Sequence, residues 1–214
     1  MNSPRPARVR FEPGDTKQLY SILNAIVVPR PIAWVSTRSA DGVDNLAPHS
    51  FYTVASVDPP VVQFTSVGRK DSLRNVEETR EFVVNLAPEP LFERINATAT
   101  NFPIEQSEFD EVGVALEPSE TVLPYRVRDS PAAIECELHS TVSFGDCTVV
   151  FGQVKLVVVS ESAMRDGRPA IDLLAPLARL GGNDWATVRE VRTIGRIPYE
   201  KWDEQRHGRA TPGR

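Results

Sequence analysis

Cysteine, histidine and long apolar runs are all scarce in this sequence, and each scarcity removes a class of protein. The two cysteines, Cys136 and Cys147, belong to no Cys-x-x-Cys pair, so a disulfide-stapled scaffold is excluded and reduced thiols are expected. With only three histidines besides, no zinc-ligand spacing can be drawn and no metal site is expected. Neither Gly-x-Gly-x-x-Gly nor Gly-x-Ser-x-Gly occurs, which sets aside a Rossmann dinucleotide site and an acyl-transfer elbow. No run of about 20 apolar residues is present, and no apolar stretch follows the arginines of the opening MNSPRPARVRF. Neither a membrane span nor a secretory leader is therefore expected, and the cytoplasm is the expected compartment. A basic surplus is missing too: the formal net charge of −5 argues against nucleic acid as a partner, because phosphate-backbone binding needs a broad positive surface. Any anion site must be local.

What is there is a chain of 214 residues, enough to close one sizeable core. A domain over 16–192 is expected, with a Pro- and Arg-rich arm over 1–15 and an extension over 193–214. Both ends read as tails, 203–214 being polar throughout. Residues 17–27 carry Leu19, Ile22, Leu23 and Ile26 at amphipathic-helix spacing, ended by Pro29. The period then changes to two. Strands are predicted over 32–37, 61–65, 81–87, 134–144 and 148–159, the third with Phe82, Val84 and Leu86 on one face. Asp41-Gly42 and Gly145-Asp146 mark turns. Gly152 inside the last strand predicts a bulge or barrel bend. Helices are predicted over 88–99 and 105–112, and a mixed helix and loop over 172–192, broken at Gly181-Gly182. Long strands with turn signals and helices inserted singly give a mainly β fold, an antiparallel barrel with peripheral α-helices.

The chemistry concentrates at SVGRKDSLRN, residues 66–75. Asp71 or Ser72 is expected to cap a helix through Arg80, with Leu73 and Val76 on its buried side. That places free helix N–H groups beside Arg69 and Lys70, a combination suited to a dianionic phosphate. The same segment also reads as a capped surface helix with solvated cations. Ser36 and Thr37 end a strand with two hydroxyls, apt donors to phosphate or sugar oxygens. Asn45 to Phe51 reads as a polar, Pro-stiffened loop able to lay backbone groups against a flat heteroaromatic ring, with His49 as an exposed loop histidine.

PRPIAWVST, NLAPHSF, SVDPP, GRKDSLRN and EFVVN, in this order, followed by RLGG, resemble the flavin reductase-like, FMN-binding split-barrel family, including its flavoredoxin-like branch. The resemblance runs over residues 19–182. It implies a six-stranded antiparallel Greek-key split β-barrel and a homodimer with FMN near the subunit interface. Ser36, Thr37, Arg69, Lys70 and Ser72 would then hold the phosphate, and Asn45, Ala47, His49, Ser50 and Phe51 would line the isoalloxazine. The implied activity is an FMN-dependent oxidoreductase that moves hydride from NADH or NADPH to flavin and electrons onward to free flavin, a partner oxygenase or another electron-transfer protein. The alternatives are an FMN-binding electron carrier that NAD(P)H does not reduce, and a non-redox flavin or small-molecule binder. Cys147 stands where many such reductases have the histidine of a Gly-Asp-His turn, and Cys147 and His49 are the candidate catalytic residues. The extension over 193–214 would pack on the partner subunit.

Overall fold

The computed structural model describes residues 6–207. Residues 6–14 carry no helix or strand and are exposed. The first helix, α1 (Thr16–Ile26), starts where Asp15 caps it by accepting from the Gln18 N–H at 3.0 Å. Its apolar stripe follows the predicted spacing, yet none of its residues is buried in the single chain.

Seven strands build the main sheet: β1 (Ala33–Arg38), β2 (Asp44–His49), β3 (Tyr52–Val57), β4 (Pro60–Val67), β5 (Glu81–Leu86), β6 (Ala132–Phe144) and β7 (Cys147–Val159). Their order is β2-β1-β5-β6-β7-β4-β3, and every pairing is antiparallel. The long β6–β7 hairpin inserts between β5 and β4, which are consecutive in sequence, and this is a Greek key. The connection from β4 to β5 is α2 (Asp71–Thr79), packed on β1 and β2. The short helices α3 (Phe92–Ala97) and α4 (Glu108–Val112) cover the outer side of β2.

The sheet has seven strands where six were expected, and the segment expected to be a loop at 45–51 is mostly the strand β2. Pro48 is tolerated there because β2 is an edge strand, paired only with β1, so a missing N–H breaks no second ladder. β3, at the other edge, was not foreseen because four of its six residues are exposed and it has no clean apolar alternation.

Burial on both sheet faces explains the near-continuous apolar runs of β1 and β5. Ala33, Val35, Phe64, Phe82, Val84 and Val150 fill the barrel with Leu73 and Val76 of α2. Trp34 and Leu46 point the other way, into a second cluster with Ile95 and Phe109 beneath α3 and α4. Val83 packs outward against Val122 and Ala133, so the one-sided face expected for residues 81–87 is in fact two-sided. The predicted bulge is present as a register shift between Phe151 and Gly152. A Cβ on Gly152 would come within 2.2 Å of the Phe82 ring, so only glycine lets β7 pass.

Beyond the sheet, residues 172–192 are more ordered than expected. After a turn of helix at Ile171–Leu174, the strand Leu177–Arg179 pairs with both Arg30–Pro31 and Trp185–Thr187. The expected polar tail is helical over Tyr199–His207, and 208–214 and 1–5 lie outside the described residues. Among the described residues no helix is long and apolar enough to cross a membrane.

Candidate functional site

A cleft of about 410 Å³ opens between β2, the Ser50–Phe51 corner, the start of α2 and residues 98–101. It brings together Asn45, Ala47, His49, Ser50, Phe51, Arg69, Lys70 and Ser72, eight of the ten positions named from the sequence as cofactor-binding.

The start of α2 sets its polarity. Ser66 is buried and donates to the Gly68 carbonyl at 2.9 Å, while the Gly68 N–H donates to the Asp146 carbonyl at 2.8 Å. Gly68, at φ +76°, turns the chain into the helix in a conformation that favours glycine. The helix is capped one residue before the first of the two expected caps, Asp71, and two before the second, Ser72. Lys70 is the N-cap, with no side-chain cap hydrogen bond. An ammonium cannot accept a hydrogen bond, so the N–H groups of the first turn have neither an intrahelical nor a side-chain acceptor. Asp71 is turned away onto Arg74 at 2.6 Å, and the Arg69 guanidinium is held by Glu77 at 2.6 Å. Lys70, alone of these charges, has no ion-pair partner among the described residues.

Behind this rim lies a buried amide and hydroxyl network. Asn45 Nδ2 donates to Ser72 Oγ at 3.1 Å and to Thr37 Oγ1 at 3.2 Å, and Asn75 Nδ2 donates to the same Thr37 oxygen at 3.1 Å. Ser72 accepts here and keeps its hydroxyl proton for a ligand. Ser36 donates to the Tyr125 carbonyl at 2.6 Å and accepts from Asn85. Ser36 and Thr37 are 0% and 1% exposed and do not line the cleft, contrary to their expected place on the phosphate. They sit on the interior strand β1, where the Thr37 hydroxyl holds the cleft-lining Asn45 from behind.

His49 is likewise not an exposed loop histidine. On β2 it is 8% exposed, its ring 4.7 Å from that of Phe64, and its Nε2 is buried without a partner. Burial pushes its pKa down to about 4, so the imidazole is neutral at neutral pH. Glu108 was missed altogether. It is buried, lines the cleft, accepts from the Leu46 N–H at 2.9 Å and so fixes β2 from its unpaired edge. Burial pushes its carboxyl pKa up. Arg30 was missed too: it donates to the carbonyls of Asn24, Val27 and Leu180 and lies 5.8 Å from the Phe51 ring centroid. Neither a glutamate in a short acidic helix nor an arginine between prolines signals burial in a sequence.

Cys147 is half-buried and does not line the cleft, although it pairs with the cleft residue Val67. Its thiol donates to Asp146 Oδ1 at 3.4 Å, and burial followed by Asp146 pushes its pKa up. A thiol held in its protonated form is a poor nucleophile.

The site fits a flavin mononucleotide by its donor set: uncapped helix N–H groups, the Ser72 hydroxyl and the Lys70 ammonium for a phosphate. The backbone of the Ala47–Phe51 segment suits a heteroaromatic ring. Comparison with known proteins agrees: the profile of the flavin reductase like domain matches residues 25–175. The chain belongs to this flavin reductase-like family. A relative, an uncharacterized protein of Aquifex aeolicus, is 38% identical over 180 residues, covering 81% of this chain and 91% of its own. Nitrilotriacetate monooxygenase component B from Bacillus cereus superposes with a TM-score of 0.83 at 29% identity, over 89% of this chain and 100% of that one. The 2-nitrobenzoate 2-nitroreductase of Pseudomonas fluorescens does so at 0.82 and 31% identity, over 90% and 97%.

Proposed function

We propose that this protein binds FMN in the cleft and works as an NAD(P)H-dependent flavin oxidoreductase, passing electrons to free flavin or to a partner such as an oxygenase. The observation that carries this is the meeting, in one cleft, of the uncapped start of α2, the Lys70 ammonium, which has no ion-pair partner among the described residues, and the polar lining from β2. When bound, the flavin supplies the redox chemistry. The chain's own residues bind and orient. Lys70, the Ser72 hydroxyl and the first-turn N–H groups hold the phosphate. Asn45 is fixed by Thr37 and Ser72. Neutral His49 lines the cleft with its Nε2 enclosed and supplies no proton at pH 7. Glu108 keeps β2 in place from outside.

Homodimerisation belongs to the same reading. The apolar stripe of α1 is uncovered, and on the edge strand β3 Val54 and Val57 are exposed. The end of the domain and the start of the extension carry Val188, Val191, Ile194 and Ile197, all exposed at intervals of three residues, one face of an extended arm that a second subunit would cover. Sedimentation as a monomer with flavin bound would contradict this.

The second reading, an electron carrier that nicotinamide does not reduce, is favoured by one observation, the protonated thiol of Cys147 in place of a histidine. One experiment separates the two. Protein supplemented with FMN and desalted is mixed anaerobically with NADH or NADPH. Retained flavin that bleaches supports the reductase; retained flavin that stays yellow with both supports the carrier, and loss of flavin on desalting with no measurable affinity overturns both.

A further inference from the structure

A second groove, of about 750 Å³, opens from the flavin cleft and shares Tyr20, Pro48, Ser50, Lys70 and Ala99 with it. Its far wall is aromatic and cationic. The rings of Phe92 and Trp185 meet edge to face at 5.1 Å, and the Arg179 guanidinium lies over the Trp185 ring at 4.6 Å. Tyr20 and Phe92 are among the exposed large side chains of the protein. No aspartate or glutamate lines the groove among the described residues. Arg179 donates to the Gly182 carbonyl at 2.8 Å and has no carboxylate partner among the described residues.

We propose that this groove is a binding subsite for a small planar aromatic anion, an aromatic carboxylate, with Arg179 as its charge partner and Trp185 and Phe92 as its stacking wall. The inference rests on the reading that the adjoining cleft holds flavin, beside which such a ligand would lie. The chemistry follows from the wall. A guanidinium held over an indole face, with one nitrogen on the Gly182 carbonyl, keeps further N–H groups for a carboxylate, and the neighbouring rings offer edges and faces to a second aromatic. The groove's size is that of a small-molecule site. A second observation points to the same sign of charge. Burial and then the nearby charge of Arg179 hold the Arg30 guanidinium below the usual arginine range. Two guanidinium groups therefore face each other across this corner with only carbonyls, hydroxyls and rings for partners, and an anion at Arg179 relieves their repulsion.

The test is calorimetric titration of the FMN-loaded protein with benzoate, and with benzamide as its uncharged counterpart. FMN affinity and sedimentation are measured in parallel for the parent, Arg179→Met and Arg179→Lys. Expected are saturable benzoate binding, at least tenfold weaker binding of benzamide, and at least tenfold loss in Arg179→Met. Arg179→Lys should lose less, and FMN affinity should stay unchanged in both variants. Equal benzoate affinity in parent and Arg179→Met, or no benzoate binding by the parent, overturns the proposal. Dissociation of an oligomer in Arg179→Met also overturns it, since the groove would then be a contact between copies of this chain. Failure of FMN to bind removes the cofactor reading separately, while Arg179-dependent benzoate binding by the flavin-free protein would still uphold the subsite.

Discussion

Replacing His49 by phenylalanine tests the burial of the cleft's central side chain through its pH dependence. The imidazole titrates near 6.5 in an unfolded chain and is pushed down to about 4 by burial in the folded one. Between those values the unfolded state binds a proton that the folded state refuses, so this contribution to stability is complete above about pH 6.5 and is lost as the pH falls toward 4. A gap of about 2.5 units corresponds to about 3 kcal/mol. Glu108 acts with the opposite sign, because burial raises its folded pKa; its contribution is present at low pH and fades as the pH rises above the usual glutamate range. The raw profile mixes the two, whereas the difference between parent and His49→Phe isolates His49. Phenylalanine keeps the ring against Phe64 and removes the orphaned Nε2. Urea unfolding of the flavin-free proteins from pH 7.5 down to 4 is the assay. The variant is expected to be no less stable than the parent at pH 7.5 and to gain on it by about 3 kcal/mol at pH 4. Parallel profiles would mean that His49 reaches solvent or a partner and that the cleft is built differently.

Lys70→Ala should weaken FMN binding by about 1.5–3 kcal/mol, the range for hydrogen bonds to a charged group. Arg69→Ala should cost less, since Glu77 already holds that guanidinium; fluorescence titration of FMN ranks the two, and an unchanged affinity in Lys70→Ala removes the phosphate assignment. Gly152→Ala should lower stability by about 1–3 kcal/mol as the new methyl meets the Phe82 ring, with an unaltered thermal midpoint as the contrary result. Glu135→Ala should cost about 3–5 kcal/mol, because it strips a buried carboxylate from the Thr121 hydroxyl, two N–H groups and Arg126; denaturant melts within 1 kcal/mol of the parent would show that Glu117 and Glu120 suffice for Arg126.

The barrel was largely legible in the sequence because its interior strands carry strong periodic or continuous apolar signals. Residues 134–144 alternate, 148–159 return, and the glycine that bends the second strand stands where the first core ring crosses it. The edges were not legible. β2 holds a proline and polar residues that an interior strand would refuse, and only its place at the sheet edge makes them acceptable. In the site, local signals located the elements but not the direction of the side chains. GRKDS announced a helix start with cations, yet whether Arg69 or Lys70 is free depends on Glu77, about two turns further along the chain in α2. Ser36 and Thr37 were correctly placed at a strand end, and what turned their hydroxyls inward was the arrival of Asn45, Asn75 and Asn85 from three other elements. Side-chain amides that meet only after folding leave no local pattern.

The distribution of charge argues most directly for function. In a chain of net charge −5, carboxylates are in surplus, and several cations around the sheet meet one: Arg38 with Asp44, Arg69 with Glu77, Arg74 with Asp71, and Arg126 with Glu117, Glu120 and Glu135. Lys70 and Arg179 have no carboxylate partner among the described residues, and both line the same connected pair of hollows. Leaving cations unpaired inside concave walls focuses positive potential there, while the rest of the surface repels anions. An acidic protein arranged in this way selects a small anion by place, which a uniformly basic surface could not do. The aromatic rings on both sides of the opening, Phe51 toward the cleft and Phe92 and Trp185 toward the groove, favour anions that are also flat.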